Sequence, residues 1–345
     1  MNYARLEAPG RVGLADTPRP AAGPGEIVVR MAACGLCGTD LEKLRGGYTA
    51  SAILGHEPVG TIEAIGLGVQ GHALEERVFV HHHVPCLACP VCARGDYMFC
   101  PSYAKTNLDP CGFAEAFRVS ADHVRKGAVL TLDRRVSWDA GTLLEPAGCA
   151  ATALRRIALP PDPSVFIVGL GPAGLLYARL ARARGAAWVG GAEIAPGRRA
   201  AAMRRGIDAT VDPSDPTAVR DLVDRATDGR GVDLAVVATG APVAVTMAIA
   251  LARRGGTVNL FGVPPAGSRL DVDLQELYLR GIRLIPSYAT TEADIAGVHQ
   301  LVVDGRIVLD DIVSHRIPLG EIAEAFRLAS RPSDALKVVV TGPAV

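Results

Sequence analysis

Along the first 150 residues the apolar positions come in short runs, such as 27–31 and 77–80, cut by Gly, Pro, Cys and His. Short runs between turn residues predict irregular β structure. From 164 to about 285 the pattern changes, and short apolar runs (165–168, 186–189) alternate with Ala-rich amphipathic stretches such as 175–185. That alternation predicts strands and helices in turn, and so a doubly wound parallel sheet of the α/β class. The proline cluster at 159–163 marks the entry to this unit. After Pro286 the rhythm differs again, predicting a helix over 292–304, a polar turn, a helix over 319–330 and a last strand over 336–340. No fixed-period repeat or low-complexity tract interrupts this order.

One stretch, 234–252, is uncharged over nearly the length that spans a bilayer as a helix. Its centre reads Thr239-Gly240-Ala241-Pro242, a turn signal, so strand, turn and helix is the better reading and no membrane partner is expected. At 345 residues with 49% hydrophobic positions, the chain predicts two domains rather than one. Thirty-six basic residues balance 36 acidic ones, which argues against a nucleic-acid partner, because displacing counterions from phosphates needs a cationic surplus. The N-terminus carries no apolar signal core, and a cytoplasmic protein keeps its eight cysteines reduced. Close cysteine spacing then points to metal or redox chemistry rather than to a disulfide framework.

Cys86, Cys89, Cys92 and Cys100 form C-x2-C-x2-C-x7-C, bracketed by Pro85, Pro90, Gly95 and Pro101. Four thiolates in one wrapping loop are what closed, structural Zn²⁺ sites use; a disulfide knot and an iron–sulfur cluster are the alternatives. A second set lies upstream. Cys34-Gly-Leu-Cys37-Gly-Thr-Asp40 is followed nineteen residues after Cys37 by Gly55-His56-Glu57-Pro-Val-Gly60. Cys37, His56 and Glu57 supply a thiolate, an imidazole and a carboxylate, a three-ligand zinc site with an open fourth position and hence a Lewis acid. A redox C-x-x-C would want a thioredoxin-like βαβ context, which is absent.

Gly169, Gly171, Pro172, Ala173 and Gly174 form G-x-G-x-x-G between a β-branched run and an Ala-rich helix. That context is what a dinucleotide-binding loop needs: the glycines allow the tight turn, the approach of the pyrophosphate and close helix–strand packing. Glu193, nineteen residues past Gly174 at the end of the next predicted strand, stands where a ribose-binding acid belongs and favours NAD. Arg198 and Arg199 follow; guanidinium groups there either attract the extra phosphate of NADP or face solvent.

These features, in this order, make the chain resemble the zinc-dependent medium-chain alcohol and polyol dehydrogenases, including sorbitol and threonine dehydrogenase-like members. The resemblance rests on C-G-T-D, G-H-E-P-V-G, the four-cysteine lobe, D-P-C-G-F-A-E (109–115), L-L-E-P (143–146) and G-L-G-P-A-G, and spans essentially the whole chain. It implies a GroES-like β-rich catalytic domain from 1–155 and 286–345, with the structural-zinc lobe at about 84–104. A Rossmann domain over 156–285 is inserted, and a homodimer or homotetramer is usual. It also implies one catalytic zinc, one structural zinc and NAD or NADP. Cys37 and His56 match catalytic zinc ligands, Glu57 matches the glutamate of G-H-E, and Glu145 falls at the later ligand position, so either glutamate completes the site. Thr39 matches the hydroxyl that passes the substrate proton outward, and Asp40 the carboxylate that buttresses the ligating histidine.

One departure stands out: the family's relay histidine, three residues after that hydroxyl, is Glu42 here. Glu42 then carries the proton, contacts a polar substrate, or is an exposed helix carboxylate. Cys111 and Cys149 read as small buried side chains, Cys34 has no assigned role, and the run His81-His82-His83 is set aside because a Cys₄ set needs no fifth ligand. The expected reaction is reversible hydride transfer between a secondary alcohol, of polyol, cyclitol or amino-sugar type, and NAD(P). The alternatives are an NADP(H)-preferring ketone reductase of a biosynthetic pathway and, outside enzymes, a decayed dehydrogenase scaffold that binds.

Overall fold

Strand-forming runs from both ends of the chain meet in one sheet, and the alternating stretch between them builds another. The computed structural model describes residues 1–47, 52–331 and 335–343. Two units result, one from Met1–Pro146 with Thr290–Val345 and one from Ala147–Ala289; the chain passes from the first to the second inside the helix Leu144–Arg155.

The first unit opens with the hairpin β1 (Asn2–Ala8) and β2 (Arg11–Asp16), followed by β3 (Ile27–Gly35), β4 (Glu57–Ile65), β5 (Arg77–Val80), β6 (Ala116–Val119) and β7 (Val129–Thr131). In the second unit lie β8 (Ser164–Val168), β9 (Trp188–Ala192), β10 (Ala209–Val211), β11 (Val232–Val237), β12 (Ala252–Leu260) and β13 (Arg283–Pro286). The chain then returns to the first unit for β14 (Val313–Pro318) and β15 (Lys337–Thr341). There the sheet order is β14-β15-β3-β4-β5-β7, with β6 also pairing with β3. Its centre is β3, whose Ile27, Val28 and Val29 are fully buried, with Ile27 and Val29 packed among Ile62, Phe113, Phe117 and Phe326. Side chains of this size stabilise by about 1.5–3 kcal/mol each when buried.

The second unit is a six-stranded parallel sheet in the order β10-β9-β8-β11-β12-β13. Strand order reverses beside β8, and the ends of strands at such a reversal are where doubly wound sheets bind ligands. Val165, Phe166, Ile167, Leu234, Ala235 and Val236 are wholly buried, as expected of central parallel strands covered on both faces. The uncharged stretch at 234–252 divides into β11, a turn and the helix Pro242–Leu251. Among the described residues no helix is long and apolar enough to cross a membrane.

Besides the brief Pro90–Ala93 and Ala121–Arg125, three helices lie where the pattern predicts irregular β structure: Gly38–Leu44, Trp138–Thr142 and Leu144–Arg155. Capping explains two of them, since the Asp40 carboxylate accepts from Cys37 N–H at 3.1 Å and Ser137 Oγ from Ala140 N–H at 3.0 Å. The third is Ala-rich. Near the C-terminus the helix expected over 292–304 spans Glu292–Val303, and that expected over 319–330 is a 3₁₀ turn, Leu319–Glu321, followed by the helix Ile322–Ala329.

Candidate active site

Strand β3 delivers Cys37 to the N-cap of the helix Gly38–Leu44, the loop before β4 delivers His56, and β4 opens with Glu57. Gly55, just before His56, has φ +71°, and a Cβ there would lie 2.7 Å from the Phe113 backbone nitrogen, so only glycine fits. Asp40, wholly buried on that helix, accepts from Gly55 N–H at 3.0 Å and lies 3.6 Å from His56 Nδ1. One carboxylate therefore ties the cap, the glycine turn and the imidazole together. Burial works against charge on His56, but Asp40 and Cys37 hold its pKa well above the ordinary value.

One ligand atom each from Cys37, His56 and Glu57 lies within 4.8 Å of the others. Glu57 is fully buried; its Oε2 pairs with Lys337 Nζ, and its Oε1 has no hydrogen-bond partner. Burial pushes the Glu57 carboxyl above its usual range against the pull of Lys337 and His56, and Glu145 adds to the rise. A buried carboxylate oxygen without a partner, beside a thiol and an imidazole, is a donor set that fits a divalent cation. Glu145 is buried in the first turn of the helix Leu144–Arg155, outside the three-residue group but near enough to act on Glu57. Thr39 is half-buried, with Oγ1 3.8 Å from Cys37 Sγ. Glu42 is half-exposed and paired with Arg45 at 2.6 Å.

Two residues of this neighbourhood escape sequence reasoning. Lys337, only 3% exposed, comes from β15, which pairs with β3 as β3 pairs with β4, so 280 residues of separation close into one ion pair. The only signal was a lysine inside an otherwise apolar strand. The second is His82. Its neighbours are engaged: His81 Nδ1 lies 3.1 Å from Glu292 Oε1 and its Nε2 3.3 Å from Tyr103 Oη, while His83 Nδ1 lies 2.6 Å from the Thr106 carbonyl. His82 Nδ1 is buried without a partner, and its ring centroid is 5.0 Å from that of His56. Burial, with the charges of His83 and His56, pushes its pKa well down.

In the cysteine lobe the sulfur separations are 3.9 Å (Cys86–Cys92), 3.6 Å (Cys89–Cys92) and 3.9 Å (Cys89–Cys100). A tetrahedron with Zn–S bonds of ~2.3 Å has edges of about 3.8 Å. These sulfurs therefore fit one ion and are too far apart for a disulfide. Burial opposes thiolate formation at Cys100, but backbone N–H groups of Cys86 and Ser102 outweigh it and bring its pKa to about 6. Cys34 and Cys111 are inert by contrast: burial raises both thiols, Cys111 to about 12. Cys149 is half-buried in the helix Leu144–Arg155.

In the second unit the glycine loop follows β8 and opens the helix Pro172–Ala183, with Gly171 as N-cap and Pro172 in its first turn. Gly169 has φ +100°, and a Cβ on Gly174 would lie 2.0 Å from the Gly169 carbonyl oxygen, so the loop takes this shape only with glycines. Ala173 follows in that first turn, where free N–H groups suit a phosphate. Glu193, 6% exposed, accepts from Leu170 N–H and Ala195 N–H, each at 3.0 Å, which ties the acid to the loop. Arg199 donates to the Glu193 and Ile194 carbonyls and to Asp212. Arg198 instead has Nη1 3.5 Å from where a Gly171 Cβ would stand, so it flanks the cradle.

Two family models match the chain: an alcohol dehydrogenase GroES-like domain over residues 23–128 and a zinc-binding dehydrogenase over 172–304. The chain is 32% identical to L-threonine 3-dehydrogenase of Pyrococcus abyssi, covering 91% of this chain and 90% of that protein. It is also 32% identical to D-altritol 5-dehydrogenase of Agrobacterium fabrum, covering 97% of each. A Sinorhizobium meliloti protein described as a zinc-binding dehydrogenase, solved bound to NADP, superposes with a TM-score of 0.89 at 28% identity, over 99% of this chain and 98% of that one. The two metal-fitting groups, the glycine loop and these matches lead to one conclusion: the chain belongs to the zinc-dependent medium-chain alcohol and polyol dehydrogenases, and is an oxidoreductase that acts on a secondary alcohol with zinc and NAD(P).

Proposed function

We propose that this enzyme reversibly oxidises one hydroxyl of a polyol-type substrate, a sugar alcohol, cyclitol or amino sugar, with Cys37, His56 and Glu57 holding the catalytic zinc. The observation that carries the reading is that group itself, with sulfur, nitrogen and oxygen donors within 4.8 Å and an unpartnered Glu57 Oε1. Zinc bound there supplies Lewis acidity towards an alcohol oxygen, and a nicotinamide takes the hydride. Asp40, against His56 Nδ1, fixes the ring and leaves the other nitrogen to the metal. Thr39 passes the alcohol proton outward, and Glu42, three residues on along the same helix face, stands at the exposed end of that route. Glu145 is held as the alternative carboxylate ligand. Cys86, Cys89, Cys92 and Cys100 hold the second zinc, which stabilises the lobe and takes no part in the chemistry.

Carboxylates at 57 and 145 and the likeness to the altritol enzyme support the polyol class. Glu193 places negative charge where the 2′-phosphate of NADP would lie, which supports NAD. Arg198 beside Gly171, and the NADP in the Sinorhizobium protein, favour the second reading, an NADP(H)-linked ketone reductase. The test is a panel of polyols, cyclitols, amino sugars and simple secondary alcohols with each nucleotide, followed by reduced-nicotinamide absorbance. Faster turnover of simple alcohols than of every polyol would sink the polyol reading. We also propose a cytoplasmic homodimer or homotetramer. Thiolate-held metals suit a reducing compartment, and Leu274, Tyr278 and Leu279, 75, 84 and 62% exposed beside the edge strand β13, give a second copy an apolar surface.

A further inference from the structure

We propose that His82 is a specificity-determining residue: its Nδ1 hydrogen-bonds a second hydroxyl of the substrate, adjacent to the one that reacts, and so selects vicinal diols over simple secondary alcohols. The inference rests on the polyol reading above and adds the residue that reads the second oxygen.

Three observations carry it. First, the run His81-His82-His83 leaves β5 with its outer members committed to the protein: His81 to Glu292 and Tyr103, and His83 to the Thr106 carbonyl. Tyr103 in turn donates to the Thr290 carbonyl at 3.0 Å, which anchors the run from behind. Second, His82 alone of the three has a ring nitrogen that is buried and unmet, a state that costs free energy unless a ligand satisfies it. Third, the His82 ring lies against the candidate metal site. Its centroid is 5.0 Å from that of His56, with the planes tilted by 50°, and 4.0 Å from that of His83, which keeps it from swinging away.

Adjacent hydroxyl oxygens of a diol are separated by about 2.8 Å, the length of one hydrogen bond. A polar group on a ring whose centroid lies 5.0 Å from that of His56 is near enough to meet the second oxygen while the first is presented to the Cys37–His56–Glu57 group. A monofunctional alcohol puts a methylene there and leaves Nδ1 unmet. Sites built to hydrogen-bond a substrate hydroxyl discriminate in this way against analogues that lack it.

The experiment compares wild type with His82→Phe, His82→Leu and His82→Asn in the zinc-loaded enzyme, on 2,3-butanediol and 2-butanol. The quantity read is the ratio of kcat/KM for the diol to that for the simple alcohol. The Phe and Leu variants are expected to lower that ratio roughly 10- to 100-fold. His82→Asn, whose amide can stand near the place of Nδ1, restores most of it. A second readout needs no turnover: the dissociation constant of the diol without nucleotide, from an NMR titration, rises in the Phe variant and returns in the Asn variant. An unchanged ratio in both Phe and Leu variants, whatever happens to the overall rate, overturns the inference and leaves the dehydrogenase reading standing. A wild type that turns over 2-butanol faster than 2,3-butanediol and every polyol of the panel overturns the reading and the inference together.

Discussion

Lys337→Met tests the electrostatics of the site. It removes the cation paired with a carboxylate that is fully buried, while Glu145 stays close enough to raise the Glu57 pKa further. Breaking one side of a buried pair costs about 3–5 kcal/mol. The ceiling can be worked independently, because the folded variant can escape the buried charge by protonating Glu57. From an ordinary glutamate pKa near 4.3, that costs about 1.36 × 2.7, or ~3.7 kcal/mol, at pH 7 and about 1.6 kcal/mol at pH 5.5. The sign follows from linkage: a folded-state pKa raised above the unfolded one is a penalty that is absent below the unfolded value and grows as pH rises. Lys337→Met is thus expected to be most destabilised near neutrality and to recover in acid.

The assay uses the two tryptophans. Trp138 lies in the unit that holds the site and Trp188 in the other, so in a Trp188→Phe background urea unfolding by fluorescence follows the first unit alone. A Cys37→Ser background keeps a metal from taking up the freed charge. Adding Glu57→Gln to Lys337→Met is expected to return most of the stability, because the buried charge is then gone. A loss below about 1 kcal/mol at pH 7 that does not change between pH 7 and 5.5 would refute the reasoning.

Cys37→Ser is expected to lose one zinc per chain by metal analysis and all turnover, while keeping dinucleotide binding by fluorescence titration; full activity without that zinc would refute the assignment. Cys100→Ser is expected to lose the other zinc and to lower thermal stability by several degrees, as removal of a structural metal does, with calorimetry as the check. Glu193→Gln removes the charge opposite the expected ribose, and the ratio of kcat/KM for NAD to that for NADP is expected to fall about tenfold; an unchanged ratio would refute that role for Glu193. Gly174→Val, whose Cβ would collide with the Gly169 carbonyl, is expected to abolish dinucleotide binding while leaving both zincs in place.

The parts of the site that were legible in the sequence are those whose members lie close along the chain. Four cysteines within fifteen residues must share a loop, and a glycine loop between strand and helix has one shape. Cys37 and His56 were legible through the motifs around them. Lys337 was not, because a single lysine in a strand reads as an edge residue and only the pairing of β15 with β3 shows it buried. The histidine run was set aside by counting ligands for the nearest metal, although His82 approaches His56 rather than the cysteines. The helices Gly38–Leu44 and Trp138–Thr142 escape the periodicity because local caps decide the backbone there. The motif around Glu42 gave no sign of its partner, Arg45, one helical turn away.

Strand β15 also sets a clock. Glu57 leaves the ribosome early, but the cation that neutralises it sits at position 337, and the whole nucleotide-binding unit is synthesised between them. Until 337–341 have added to the sheet beside β3, Glu57 therefore lacks its lysine partner. Translation that stops short of this strand yields a chain with every cysteine and histidine of both metal groups in place, yet without the residue that lets Glu57 stay buried. For such a product, metal content by itself is a poor measure of correct folding.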